Sequence, residues 1–363
     1  MNSQARESAT MSTTLAGLDT PCVLIDLARV EGNLRRAQAE ADRLGLKLRP
    51  HIKTHKLPRF AHRQVELGAV GITVQKLGEA EIMADAGLTD IFLPYNIVGA
   101  LKLARLKTLN GRVTLAVTAD SPATVAGYAA TFAADAPLTV LVECDTGMGR
   151  CGVQSPAQAL ALARRIGLAP GLRFGGLMTY PAKGKRAEAE AWLAGAKGLL
   201  DRAGIPCPVI SSGGTPDLYR GAPGSVVTEY RPGTYIYNDR MQQAAGAADW
   251  HECALTVLAT VVSRPTATRA VIDAGSKALT SDLGGLEGHG RIIGYETAVI
   301  KSLSEEHGVV ELAAPSDRPA IGETVRIIPN HACVVVNLFD SVALVSPDGS
   351  LETVPVAARG KVQ

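Results

Sequence analysis

The sequence predicts an α/β protein, built as a (β/α)8 TIM-type barrel followed by a second, mainly antiparallel β domain. Three observations predict it. About eight short apolar or alternating runs recur between residues 47 and 236, with amphipathic helical stretches between them, as when parallel strands are joined by crossover helices. Their spacing of roughly 20–35 residues suits barrel strand-helix units. Beyond about residue 250 the texture changes to β-rich segments separated by turn signals.

Residues 1–18 are polar and alanine-rich and lack an apolar core of about 7–15 residues. Neither a secretory signal nor a membrane anchor is expected there; the segment reads as a frayed tail, with Met11 as an alternative start. A strand-like segment, 19–27, precedes the first barrel helix and is expected to return to the β domain. The barrel, 28–250, takes its strands from 47–52, 71–75, 90–95, 113–119, 138–144, 173–180, 208–212 and 228–236. A doubly wound open sheet is the competitor, but no GxGxxG follows the first strand. In the β domain, 251–363, strands are expected at 255–262, 269–272, 309–312, 324–328 and 334–338.

A chain of 363 residues with 46% hydrophobic content can bury a sizeable core. Charged residues make up 20% and the formal net charge is +2, so no broad field exists to hold nucleic acid or an anionic membrane. The six cysteines are scattered without CxxC pairs, which argues against a disulfide scaffold or a four-cysteine zinc ribbon and fits a reducing cytoplasm.

Functional groups in such a barrel gather where strands end. A period of two along the first strand sends Arg49, His51 and Lys53 inward, with Lys53 nearest the rim. Burying that amine is costly unless a carbonyl cofactor converts it to a Schiff base; Lys56, past the strand end, is less constrained. Ser211-Ser212-Gly213-Gly214-Thr215 follows the seventh strand, where barrels commonly hold phosphate, and Tyr237 after the eighth can add a phenol. The glycine-rich loop 143–152 carries Arg150 over the barrel mouth, and Gln75 and Tyr180 end two further strands. His331 and Cys333 are one residue apart, so on an extended segment both face one side and can share a metal with open positions left for water and substrate.

The segments 19–21, 49–56, 143–153, 211–215, 271–275, 304–308 and 329–333, in this order and spacing, resemble the D-threonine aldolase and D-serine dehydratase family, related to the alanine-racemase-type barrel (fold type III) of pyridoxal-phosphate enzymes. The resemblance covers nearly the whole chain. It implies pyridoxal 5'-phosphate as cofactor, with Lys53 as the Schiff-base lysine, Arg150 facing the pyridine nitrogen and Gln75 and Tyr180 flanking the ring. Ser212, Gly213, Gly214, Thr215 and Tyr237 are implied around the phosphate. A divalent metal is implied at His331 and Cys333. Zinc is the first choice because a thiolate is soft, with manganese or magnesium as alternatives.

The implied function is a lyase acting on a small D-β-hydroxy amino acid, most closely a D-threonine aldolase forming glycine and an aldehyde, in a homodimer. Dehydration of D-serine or D-3-hydroxyaspartate is the alternative, and an amino-acid racemase and a non-catalytic cofactor-binding protein are further ones. Asn337-Leu338-Phe339-Asp340 resembles the aldolase branch, whereas Cys333 resembles the dehydratase branch. Pro181-Ala182-Lys183 stands after Tyr180 where many aldolases have a histidine, so His55 or metal-bound water is the expected auxiliary base.

Overall fold

The computed structural model describes residues 15–363, so most of the expected tail, with Met11, lies outside the described residues. Leu15–Gly17 is a 3-10 turn rather than tail, and Leu18 packs against the small cluster of Leu24, Leu258 and Ala343. Strand β1 (Cys22–Asp26) follows. The Asp26 carboxylate accepts from the Arg29 N–H and starts the helix Leu27–Leu44, which Gly45 ends in the left-handed conformation.

Eight parallel strands then form one sheet: β2 (Lys47–Leu48), β3 (Ile72–Thr73), β4 (Asp90–Leu93), β5 (Thr114–Ala119), β6 (Leu138–Glu143), β7 (Leu172–Met178), β8 (Val209–Ser212) and β9 (Glu229–Tyr230). Their order is β2-β9-β8-β7-β6-β5-β4-β3. A parallel bridge between His51 and Thr73 closes the ring, with N–H groups of Val70 and Thr73 donating to the carbonyls of Leu48 and Pro50. This is the TIM-type barrel. The outer helices start where the sequence supplies caps: Ser121 and Ser155 each accept a backbone N–H, with proline in the first turn, ahead of Pro122–Thr131 and Pro156–Gly167.

Three barrel strands are much shorter than expected. The run 71–75 is strand only at Ile72–Thr73. The run 47–52 is regular strand only to Leu48, its backbone bonds continuing to the His51 bridge before Ile52–Thr54 turns into a 3-10 helix. The run 228–236 ends at Tyr230, because Pro232 lacks an N–H and Gly233 bends the chain into the 3-10 turn Thr234–Ile236.

The second sheet contains β10 (Leu255–Thr266), β11 (Arg269–Ile272), β12 (Gly290–Ile292), β13 (Val299–Leu303), β14 (Gly308–Glu311), β15 (Thr324–Pro329), β16 (Ser341–Val345) and β17 (Leu351–Pro355). It runs β13-β14-β11-β10-β1-β16-β17, with β15 pairing with β10 and β12. Thus β1 does return to this sheet, antiparallel to β10 and parallel to β16. Strands β12, β13, β16 and β17 were not expected. The expected strand at 334–338 is instead the helix Ala332–Leu338, which buries Ala332, Val335 and Val336. Spacing of three and four puts those residues on one helical face, and tertiary burial overrides the β preference of the valines. No helix among the described residues is long and apolar enough to cross a membrane.

Candidate active site

The rim of the barrel and the helix Ala332–Leu338 enclose a cavity of about 280 Å³. Lys53 lines it, but the expected strand alternation does not place it there; it sits in the 3-10 turn Ile52–Thr54. His51 holds that turn: its Nδ1 accepts from the Lys53 N–H at 3.3 Å, and its Nε2 lies 3.0 Å from Gln75 Oε1. Burial pulls the Lys53 amine below the usual lysine range, Arg150 adds to the effect, and Cys333 opposes it. An amine that sheds its proton more readily is a better nucleophile toward a carbonyl. Lys56 is otherwise engaged. It is buried, its Nζ lies 2.9 Å from Glu79 Oε1, and it donates to the Ala358 carbonyl at 3.3 Å, so it is more constrained than expected.

Across the cavity, the turn after β8 and the turn after β9 meet. Gly214 and Thr215 line it from one side and Gly233 and Thr234 from the other. The N–H groups of these four residues find no acceptor among the described residues. They form a ready cradle for an anion. A Cβ on Gly214 would press on the Tyr180 ring at 3.1 Å, and one on Gly233 would meet the Thr54 hydroxyl at 3.1 Å, so both positions suit close backbone approach. Gly213 takes φ +103, and its Cβ would strike the Tyr230 ring at 2.2 Å. Ser212 is buried at the strand end, where its carbonyl accepts from the Arg231 N–H. Gly213 and Ser212 therefore shape the cradle without lining it.

Arg150 does reach the mouth, with its guanidinium 5.2 Å from the centre of the Tyr180 ring. A second arginine, Arg231, lines the same cavity and was missed. Its Nε donates to Ser211 Oγ at 2.8 Å and its Nη2 to the Thr179 carbonyl at 2.5 Å. Burial pushes it down to about 10. Arg231 directly follows the eighth barrel strand, which ends at Tyr230, but the expected run 228–236 put it mid-strand, out of reach of the strand-end criterion that selected Gln75 and Tyr180. Thr234 escaped notice because 228–236 read as unbroken strand.

His331 and Cys333 both line the cavity, although not on an extended segment. His331 caps the helix Ala332–Leu338 and Cys333 lies in its first turn. His331 Nδ1 is 2.8 Å from Asp282 Oδ2, which leaves Nε2 for another partner. The Cys333 sulfur is 3.1 Å from Thr54 Oγ1 and 3.4 Å from Thr234 Oγ1. Burial pulls His331 down and Cys333 up, but their pairing outweighs it in both: His331 rises to about 9, and Cys333, also facing Lys53, falls. An imidazole held by a carboxylate beside a stabilised thiolate is a donor set that suits a soft divalent ion. The one three-donor cluster among the described residues, Asp249, His251 and Glu252, lies elsewhere, and its Glu252 already caps a turn and pairs with Arg36.

Besides Ser212 and Gly213, two expected site residues do not line the cavity. His55 is fully buried, with its Nδ1 accepting from the Leu57 N–H at 3.1 Å and its ring edge-on to Phe60, and burial pushes it down to about 3. It belongs to the packing and is corrected from catalytic base to structural residue. Tyr237 is also fully buried and packs edge-on against Phe60; burial raises its phenol, whose oxygen has no partner among the described residues. The residue does not line the cavity.

The family model described as "Alanine racemase, N-terminal domain" matches residues 25–241, and a serine dehydratase domain model matches 254–345. A D-threonine aldolase from Arthrobacter sp is 38% identical over 95% of this chain and 94% of its own length. This chain belongs to the D-threonine aldolase and D-serine dehydratase family. Members share the alanine-racemase-type, fold type III architecture of pyridoxal-phosphate enzymes. The crystal structure of D-threonine aldolase from Filomicrobium marinum is similar at a TM-score of 0.88 and 32% identity, covering 98% of this chain and 100% of that one. The D-threo-3-hydroxyaspartate dehydratase of Delftia sp. strain HT23 is 34% identical over 94% of this chain and 98% of its own. Solved structures of a D-threo-3-hydroxyaspartate dehydratase include a histidine-to-alanine variant and a cysteine-to-alanine variant in the metal-free form, the altered positions being two residues apart.

Proposed function

We propose that this chain is a pyridoxal-phosphate- and divalent-metal-dependent lyase of D-β-hydroxy amino acids, and that it acts as a D-threonine aldolase, cleaving Cα–Cβ to give glycine and an aldehyde. One observation carries the reading: a single cavity brings together a desolvated lysine, four unpaired N–H groups and a histidine–cysteine pair. Similarity to the Arthrobacter aldolase along nearly the whole chain supports the aldolase choice.

When bound, the cofactor draws electrons from the substrate Cα and a divalent ion, zinc by preference, polarises the β-hydroxyl. The chain does the rest. Gly214, Thr215, Gly233 and Thr234 would hold the phosphate by their N–H groups, Gln75 and Tyr180 would lie against the ring, and Arg150 would offer its guanidinium to the ring nitrogen, where a cation would keep that nitrogen unprotonated. His331 and Cys333 hold the ion. The hydroxyl proton needs an acceptor, and His55 is walled off. Both ring nitrogens of His51 are engaged, and burial raises the Tyr180 phenol. Lys53 Nζ, drawn toward its neutral form, is the side-chain base we propose, with metal-bound water as the alternative.

Dehydration is the second reading, favoured by Cys333, since a D-threo-3-hydroxyaspartate dehydratase has a metal-free form in its cysteine variant. Lys53 would then take the Cα proton. Incubation of the homodimer expected in the cytoplasm with D-threonine, D-serine and D-threo-3-hydroxyaspartate separates the readings. Glycine with an aldehyde is the expected product from D-threonine; keto acid with ammonia would replace the aldolase by the dehydratase. Racemisation that persists in a chelator would make it a racemase, and bound cofactor with no turnover would make it a non-catalytic binder.

A further inference from the structure

Glu79 is in the third position of the helix Leu77–Asp85, where a glutamate usually closes a solvent-facing capping box. Here it is 2% exposed, and its two oxygens face different parts of the site. Oε2 accepts from the Gln75 N–H at 2.7 Å and the Lys76 N–H at 3.3 Å, while Oε1 takes the Lys56 ammonium at 2.9 Å.

These contacts close a ring. Gln75 meets His51, His51 accepts from the Lys53 N–H, and the turn runs on through Lys56 back to Glu79. Lys56 itself has φ 56, a left-handed conformation that a lysine adopts only when its surroundings impose it. Two further contacts impose it: the Ala358 N–H donates to the Lys56 carbonyl at 3.2 Å, and the Lys56 ammonium donates to the Ala358 carbonyl.

We infer that Glu79 is a positioning residue that fixes the Lys53 amine and the Gln75 side chain relative to each other by holding Lys56 and the Gln75 backbone at once. This rests on the reading of Lys53 as the cofactor lysine. Glu79 touches neither cofactor nor substrate; it acts through the two loops that do.

The test measures pyridoxal-phosphate affinity and the share of chains in which borohydride fixes the cofactor on Lys53, by peptide mass, below the unfolding transition. In Glu79→Gln the Kd is expected to rise roughly 10–100-fold, the range that loss of an outer-shell partner produces in metal sites, and fixation on Lys53 to fall. The double variant Glu79→Gln/Lys56→Met, which leaves no buried charge unpaired but still lacks the clamp, is expected to keep the weakened affinity and the reduced fixation; a return to wild-type affinity would trace the loss to the unpaired ammonium and overturn the inference. Folded Glu79→Gln with wild-type Kd and wild-type fixation overturns the inference, even if its Tm drops. Should that variant not fold, Glu79→Asp, which keeps the charge but withdraws it, is read by the same two measurements. Absence of fixation on Lys53 in the wild-type chain overturns the lysine assignment itself, and is thereby told apart from failure of the positioning role.

Discussion

Lys53 and Lys56 are the same residue type three positions apart, and their surroundings give them opposite tasks. Lys53 faces the cavity with no carboxylate partner among the described residues, whereas Lys56 is clamped between Glu79 and the Ala358 carbonyl. Lys53→Ala is expected to abolish borohydride fixation of the cofactor. Lys56→Ala should still be labelled on Lys53, in a smaller share of chains, and should leave Glu79 buried and unpaired, costing about 3–5 kcal/mol of stability by urea unfolding. The two histidines of the motif divide in the same way. Folded His55 holds a proton only below about pH 3, against 6.5 ordinarily. Between those values the unfolded chain binds a proton that the folded chain refuses, so stability falls as pH falls through this window. From pH 7 to pH 5 the wild type should lose about 2 kcal/mol more than His55→Asn, which keeps an acceptor for the Leu57 N–H; equal losses in the two proteins would remove His55 from this role. At the His331–Cys333 pair, Asp282→Asn would loosen the orientation of His331 and, on the proposed metal role, should weaken zinc binding roughly 10–100-fold in a chelator competition.

At the scale of elements, the apolar alternation located the barrel strands well and their ends poorly. Pattern reports which residues are buried, but not where a ladder runs out of donors: 228–236 reads as one strand, and Pro232 with Gly233 ends it at Tyr230. The helix Ala332–Leu338 is the opposite case. Its valines favour a strand locally, and only the core it meets selects the helical face. The HxC spacing still delivered both donors, because His331 is the helix cap and Cys333 lies in the adjoining turn. The phosphate turn is where glycine is required by geometry. Gly213→Ala combines φ +103 with a Cβ 2.2 Å from the Tyr230 ring. It is expected to cost about 1–3 kcal/mol and to weaken cofactor binding, as read by titration of the cofactor's visible absorbance. Arg231 and Thr234 were not legible, because the overlong eighth strand, 228–236, hid the strand end at Tyr230 and the turn beyond it.

On the scale of the molecule, the cavity belongs to neither sheet alone. Barrel turns supply Lys53, Arg150 and the N–H cradle, and the segment between β15 and β16 supplies His331 and Cys333. The early strand β1 sits between β10 and β16, more than 200 residues later in the chain. Ile25, fully buried there, is therefore a test of that pairing: Ile25→Ala should lower unfolding stability by about 2–5 kcal/mol. A loss near zero would mean that β1 contributes little to the sheet. The sequence by itself determined the strand-helix repeat, the β-rich second part, the lysine motif, the glycine turn and the histidine–cysteine pair, because periodicity and residue chemistry are local properties. Only the tertiary structure decided which lysine lines the cavity, that His55 and Tyr237 are not part of its lining and that Arg231 and Thr234 are. Burial and partner choice depend on contacts between segments far apart in the chain, and no local pattern encodes them.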